Sequence, residues 1–131
     1  MSYQILVVDD AGPMRKMIAR AAGMSGLPIG EILEAGDGRE ALSLLATRWV
    51  DVVFADINMP TMNGIELVEH MSRDPLLRQV PVVVVSTERS EERIAHLKRL
   101  GVRAYLPKPC RPETIREVVL ELLAGGDSTD G

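Results

Sequence analysis

Two apolar runs in this chain end in carboxylates. Ile5-Leu6-Val7-Val8 leads into Asp9-Asp10, and Val52-Val53-Phe54-Ala55 leads into Asp56, 46 residues beyond Asp10. A third run, Val82–Val85, leads into Ser86-Thr87, and Lys108, one of three lysines, follows Val102–Leu106. Carboxylates brought together repel and raise one another's pKa unless a cation sits among them. A hard divalent ion with oxygen ligands answers that need. Mg²⁺ fits best, because it takes one or two carboxylates, keeps several waters and accepts phosphate oxygens. One carboxylate can then attack phosphorus and become an aspartyl phosphate. Lys108 would balance the transferred charge, and a hydroxyl at the end of the fourth run would donate a hydrogen bond to a phosphoryl oxygen.

Such a set needs elements that bring it to one place. Strands are expected over Gln4–Val8, Glu31–Ala35, Val50–Ala55, Val80–Val85 and Val102–Leu106. Between and after them run five segments of helical period, marked by Met14/Met17/Ile18, Ala41/Leu42/Leu45, Ile65/Val68/Met71, Ile94/Leu97/Leu100 and Ile115/Val118/Leu122. This alternation indicates βαβ units around a parallel sheet. Within the first, third and fourth strands, Ile5–Val8, Val52–Ala55 and Val82–Val85 are uninterrupted apolar or small-residue stretches, as expected for strands covered on both faces. Glu31 and Glu34 in the second, and Arg103 in the fifth, suit edges with one side toward solvent. The order 2-1-3-4-5 follows: a flavodoxin-like (βα)5 three-layer sandwich with right-handed crossovers. In such sheets ligands bind beyond the carboxyl ends of the strands where the order reverses, here between strands 1 and 3. Asp9, Asp10 and Asp56 all lie there.

Pro13 opens the first helix, where a missing N–H costs nothing, and Gly36-Asp37-Gly38 and Asn63-Gly64 read as turn chemistry. One domain over residues 1–124 is expected, closed by Gly125-Gly126 and a frayed tail over 125–131. At 131 residues, 46% hydrophobic and 26% charged, the chain has material for one core. Fifteen basic against nineteen acidic residues give a net charge of −4, and the arginines are scattered, which argues against nucleic acid as a direct partner. A run of about 18 apolar residues is lacking and Met1–Tyr3 leads straight into strand pattern, so no signal peptide or membrane span is expected. Cys110 stands alone, which excludes a disulfide within the chain and any multi-cysteine metal site. A cytoplasmic location is the simplest reading.

The motifs Ile5-Leu6-Val7-Val8-Asp9-Asp10, Asp56-Ile57-Asn58-Met59-Pro60, Asn63-Gly64, Val85-Ser86-Thr87 and Lys108-Pro109 together resemble the receiver domain of two-component response regulators, the CheY-like family. The resemblance runs over residues 3–124, in order and at family-like spacing. It implies that Asp56 is the phosphoacceptor and that Asp10, Asp56 and the Asn58 carbonyl hold Mg²⁺ directly. Asp9 would hold the metal mainly through water, and Lys108 would pair with the phosphoryl group beside a cis Lys108–Pro109 peptide. By the same likeness Ser86 is the switch hydroxyl and Tyr105 the aromatic that changes rotamer with it. Asn58 and Glu88 would tune loss of the phosphoryl group, and Thr87 would narrow access to the site. Departures are Ala11-Gly12-Pro13 where Ser or Thr is frequent, Ile57 after the acceptor, Thr87 after the switch residue and Cys110 in place of an aromatic.

Plainer readings stand beside these. Thr87 is the alternative hydroxyl, Tyr105 can be ordinary edge-strand packing, and Glu88-Arg89 a solvated helix start. His70 and His96 read as surface residues, Cys110 as a small buried hydrophobe, the methionines as helix core and Trp49 as structural. The function implied is a signalling switch. A histidine kinase or phosphotransfer protein would donate to Asp56, and a downstream protein would read the face of helix 4, strand 5 and helix 5, in a monomer or a phosphorylation-dependent dimer. It is expected to be a phosphoacceptor signalling domain and not an enzyme, catalysing only its own phosphoryl transfer and slow autodephosphorylation. A stand-alone chemotaxis-type regulator is favoured over a phosphorelay intermediate or the receiver part of a longer regulator. An aspartyl-phosphate phosphatase needs a second acid two residues after the nucleophile, and Asn58 stands there. A P-loop hydrolase needs a Gly-Lys-Ser/Thr loop, which is missing.

Overall fold

A computed structural model describes residues 2–87 and 90–124. Five parallel strands, β1 (Tyr3–Val8), β2 (Ile29–Ala35), β3 (Val52–Ala55), β4 (Val82–Ser86) and β5 (Ala104–Pro107), form one sheet in the order β2-β1-β3-β4-β5. Helices α1 (Gly12–Gly23), α2 (Gly38–Leu45), α3 (Gly64–Arg73), α4 (Glu91–Arg99) and α5 (Pro112–Val119) connect and cover it, and the chain continues through a π-type turn over Leu120–Ala124. This is the flavodoxin-like architecture the patterning predicts.

Alternation along the strands divides the interior into two cores. Leu6, Val8, Val53 and Ala55 point to the layer of α2, α3 and α4, where Leu45, Leu67 and Leu97 meet them. Ile5, Val7, Val52 and Phe54 point to α1 and α5, against Ile18, Ala22 and Ile115. With both faces covered, every residue of β3 and β4 is buried, which explains runs with no polar alternation.

Three strands begin two residues later than the sequence pattern predicts. Val50, Val80 and Val102 are buried all the same, as loop residues anchoring the approach to β3, β4 and β5. For β4 the cause is Pro81, which has no N–H to give the ladder and offers only its carbonyl, to the Val53 N–H at 3.0 Å.

The turn signals also resolve differently. Asn63 is the N-cap of α3: its side chain accepts from the Glu66 N–H at 2.9 Å while Glu66 accepts from the Asn63 N–H at 3.0 Å, a capping box. Asp37 likewise caps α2. Trp49, read as structural, is 71% exposed, its indole N–H donated to Asp51 Oδ1 at 2.9 Å. Met17 on α1 and Met24 just after it are exposed as well, and among the described methionines only Met71 is fully buried core. Glu34 is not a solvated edge charge: it lies half-buried between Arg15 and Lys16 of α1. Gly125, Gly126 and the tail lie outside the described residues.

Candidate functional site

The carboxyl ends of β1 and β3 bring the acidic residues together as the sheet order requires. One carboxylate oxygen from each of Asp9, Asp10 and Asp56 lies within 4.8 Å of the others. Asp9 and Asp56 are buried and Asp10 is exposed. The backbone sets this depth, since the Asp9 N–H bonds the Ala35 carbonyl and the Asp56 N–H the Val8 carbonyl, each at 3.0 Å, extending the ladders one step past the strands.

Lys108 closes the group. Its Nζ donates to Asp9 Oδ2 at 2.8 Å and to Asp56 Oδ2 at 3.0 Å, with little of its side chain exposed. Its backbone N–H bonds the Ser86 carbonyl at 3.1 Å, so the loop after β5 is tied to the end of β4. The Lys108–Pro109 peptide is cis. Burial works against the ammonium, but hydrogen bonds and charge from Asp9 and Asp56 outweigh it and raise its pKa above the ordinary lysine value. The remaining oxygens are held by backbone. Asp9 Oδ1 accepts from the Ala11 N–H at 2.9 Å, and Asp56 Oδ1 from the Ile57 N–H at 2.7 Å.

Around this centre Ser86 is buried at the end of β4, and Thr87 and Asn58 are exposed. Tyr105, half-buried on β5, packs against the core of the α2–α4 layer. Glu88 lies outside the described residues. Two contributors were not legible as site residues. Gly64 sits where a Cβ would stand 2.1 Å from the Asp56 carbonyl oxygen, so α3 can start against the acceptor's backbone only with glycine there. The Asn-Gly pair signalled a turn, and nothing in it signalled this contact. Arg15 donates from Nη1 to the Asp9 carbonyl at 2.7 Å, across an interval that follows no periodic pattern.

The donor set fits a divalent metal. Three carboxylates with one ammonium carry a formal charge of −2, all the available atoms are hard oxygens, and one carboxylate is open to solvent.

The response regulator receiver domain model matches residues 5–120. The chain belongs to that family. This receiver domain is 33% identical over 125 residues to the chemotaxis protein CheY1 of Helicobacter pylori, covering 95% of this chain and 99% of that protein. It is 34% identical over 120 residues to the phosphate regulon transcriptional regulatory protein PhoB of Pseudomonas aeruginosa, covering 92% of this chain and half of PhoB. The crystallized chemotaxis protein CheY4 of Vibrio cholerae superposes with a TM-score of 0.83 at 32% identity, covering 94% of this chain and all of that one. Among the described residues no helix of the receiver is long and apolar enough to cross a membrane.

A cleft of about 770 Å³ lies away from the acidic centre, beside residues such as Val50 and Val80 that precede β3 and β4.

Proposed function

We propose that this receiver domain is a phosphorylation switch of a two-component system, in which Asp56 takes a phosphoryl group from a phosphohistidine on a histidine kinase or phosphotransfer protein. The observation that carries the reading is Lys108 Nζ lying 2.8 Å from Asp9 and 3.0 Å from Asp56. A buried carboxylate is thereby held beside a fixed cation and two further acids. Asp10, Asp56 and the Asn58 carbonyl would hold Mg²⁺ directly. Asp9, the more deeply buried of the two acids that Lys108 meets, would act through water. When bound, the metal supplies positive charge to the phosphoryl oxygens and lowers repulsion between the carboxylates.

An Asp56 oxygen attacks phosphorus, the P–N bond to the donor imidazole breaks, and the imidazole leaves with that electron pair and gains a proton. Lys108 then has a phosphoryl group to pair with in place of a bare carboxylate. Ser86, or Thr87 beside it, donates to a phosphoryl oxygen, and Tyr105 follows. The signal would leave by the α4–β5–α5 face, where α4 fully buries only Leu97 and is therefore inexpensive to repack. Asn58 has no proton to lend to a leaving group. That suits a switch that does not turn over many substrates.

The likeness to CheY1 and CheY4 supports a chemotaxis-type regulator that works in the cytoplasm as a monomer or a phosphorylation-dependent dimer. The match to half of PhoB marks the alternative, a receiver within a longer regulator. Incubation with Mg²⁺ and acetyl phosphate should give acid-stable, base-labile incorporation at Asp56, abolished by EDTA and by Asp56→Asn. Equal incorporation in the Asp56→Asn protein would overturn the assignment.

A further inference from the structure

We propose that Arg15 is a positioning residue of the acidic site, bracing the Asp9–Asp10 peptide so that Asp10 is held at metal-binding distance from Asp56. The inference rests on the reading of these carboxylates as a Mg²⁺ site.

Every polar group of Asp9 except its carbonyl is fixed from within the sheet or the site. Its N–H goes to Ala35, Oδ1 accepts from Ala11 and Oδ2 from Lys108. The carbonyl belongs to the peptide that carries Asp10, and it accepts from Arg15 Nη1 at 2.7 Å. The same guanidinium donates from Nε to Glu34 Oε1 at 2.9 Å. Glu34 lies on β2 opposite Val7 of β1, so the brace runs from the sheet, through α1, back to the turn after β1. Asp10 itself is exposed and its place depends on this turn.

The helix offers the turn no other side-chain hold. Ala11 at the N-cap of α1 has no capping side chain, so apart from Arg15 the turn is tied to the helix start only through the Ala11 N–H on Asp9 Oδ1. A planar guanidinium with several donors can span a carboxylate and a carbonyl together, which an ammonium on a flexible stem cannot do in the same geometry. Lys16 touches Glu34 as well, at 3.0 Å, but is largely exposed and donates to no group of the turn.

The test has a sign that electrostatics alone would reverse. Arg15→Gln removes a positive charge next to a cation site, and by charge alone Mg²⁺ should bind more tightly. If the brace is what matters, binding weakens. Calorimetric titration with Mg²⁺ alone should show Arg15→Gln and Arg15→Lys both weaker by about tenfold, as for other partners that orient metal ligands. Lys16→Gln should stay within about twofold of wild type, as expected for an exposed ion pair. In acetyl phosphate reactions the half-saturating Mg²⁺ should rise while the rate at saturating Mg²⁺ is kept. A merely destabilised fold would instead lower the plateau and leave the half-saturation in place. Glu34→Asp, which keeps the charge but draws the anchor back from Arg15 by one methylene, tests the brace should the Arg15 variants fold poorly, and should also raise the half-saturating Mg²⁺. Arg15→Gln or Glu34→Asp binding Mg²⁺ as tightly as wild type overturns the brace. A wild type that binds no Mg²⁺ overturns the metal reading itself.

Discussion

Gly64 and Asp56 are in backbone contact so close that a methyl group on Gly64 would stand 2.1 Å from the Asp56 carbonyl oxygen and 2.9 Å from the Ile57 Cα. The Gly64 N–H in turn bonds the Ile57 carbonyl at 2.8 Å. The start of α3 is thus a wall of the acceptor's own loop, and neither side can yield without moving backbone.

Gly64→Ala should therefore cost more than a helix glycine usually does, on the order of 2–3 kcal/mol from backbone displacement. It should also slow phosphoryl incorporation at Asp56. Gly23→Ala, at the end of α1 where an added Cβ meets nothing within 4 Å, is the contrast and should be neutral or stabilising by up to about 1 kcal/mol. Urea unfolding of the two variants checks this, and equal effects would mean that the contact at Asp56 is relieved at no cost.

Lys108 sits over two carboxylates, and its loss leaves Asp9, wholly buried, with an uncompensated charge. Lys108→Met should lower the unfolding free energy in EDTA by about 1–3 kcal/mol. Saturating Mg²⁺ should return part of that loss, and should stabilise the variant more than it stabilises wild type, because the metal then supplies the only cation among the acids. Thermal unfolding with and without Mg²⁺ measures the difference. The same Mg²⁺ increment in both proteins would argue that metal and lysine do not share the site's charge.

Much of this was legible in the sequence for a physical reason. Strands covered on both faces leave unbroken apolar runs, and Ile5–Val8, Val52–Ala55 and Val82–Val85 are those strands. Once their order follows from the charged edges, the acids at their ends must converge. What escaped depends on packing rather than period. Val50, Val80 and Val102 are as apolar as strand residues but are buried in loops. Glu34 carries an edge-strand charge, yet the helix that crosses β2 brings Arg15 and Lys16 onto it. Trp49 lies on the surface while its smaller neighbour, Val50, is buried, a difference that residue type alone does not announce. The second partner of Lys108 and the reach of Arg15 to the Asp9 carbonyl are loop and rotamer outcomes, with no local pattern to announce them.

Glu34 gives the acid side of the stability profile one identifiable contributor. Burial alone would raise its pKa, but hydrogen bonds and charge from Lys16 and Arg15 outweigh it, and the carboxyl is held below its ordinary 4.5. A carboxyl with a depressed folded pKa contributes stability that is fully present above its unfolded value and disappears as pH falls through the folded one. Wild type should therefore lose stability below about pH 4.5 more steeply than Glu34→Gln, with the two curves converging at the acid end. The side chain is a quarter exposed, so the difference should be modest and should shrink in high salt. Denaturant melts at several pH values provide the curves, and parallel curves from pH 6 to pH 3 would remove Glu34 from the account.

Cys110 offers the opposite case, a group whose pKa rises. It packs beside the α1–α5 core, and burial pushes its thiol from 9.0 up to about 11. The thiolate is the reactive form, so at pH 8 the folded protein should hold about a hundredfold less of it than the unfolded chain does. Alkylation by iodoacetamide should be slowed at least in that proportion in buffer, with the ordinary rate returning in denaturing urea. The linkage sign follows: stability from keeping the thiol neutral is present below pH 9 and is lost as pH rises through about 11. Cys110→Ser should flatten that alkaline limb, since serine does not ionise there. A folded-state alkylation rate matching the rate in urea would show that Cys110 is neither shielded nor shifted, and would return it to the class of exposed, reactive thiols.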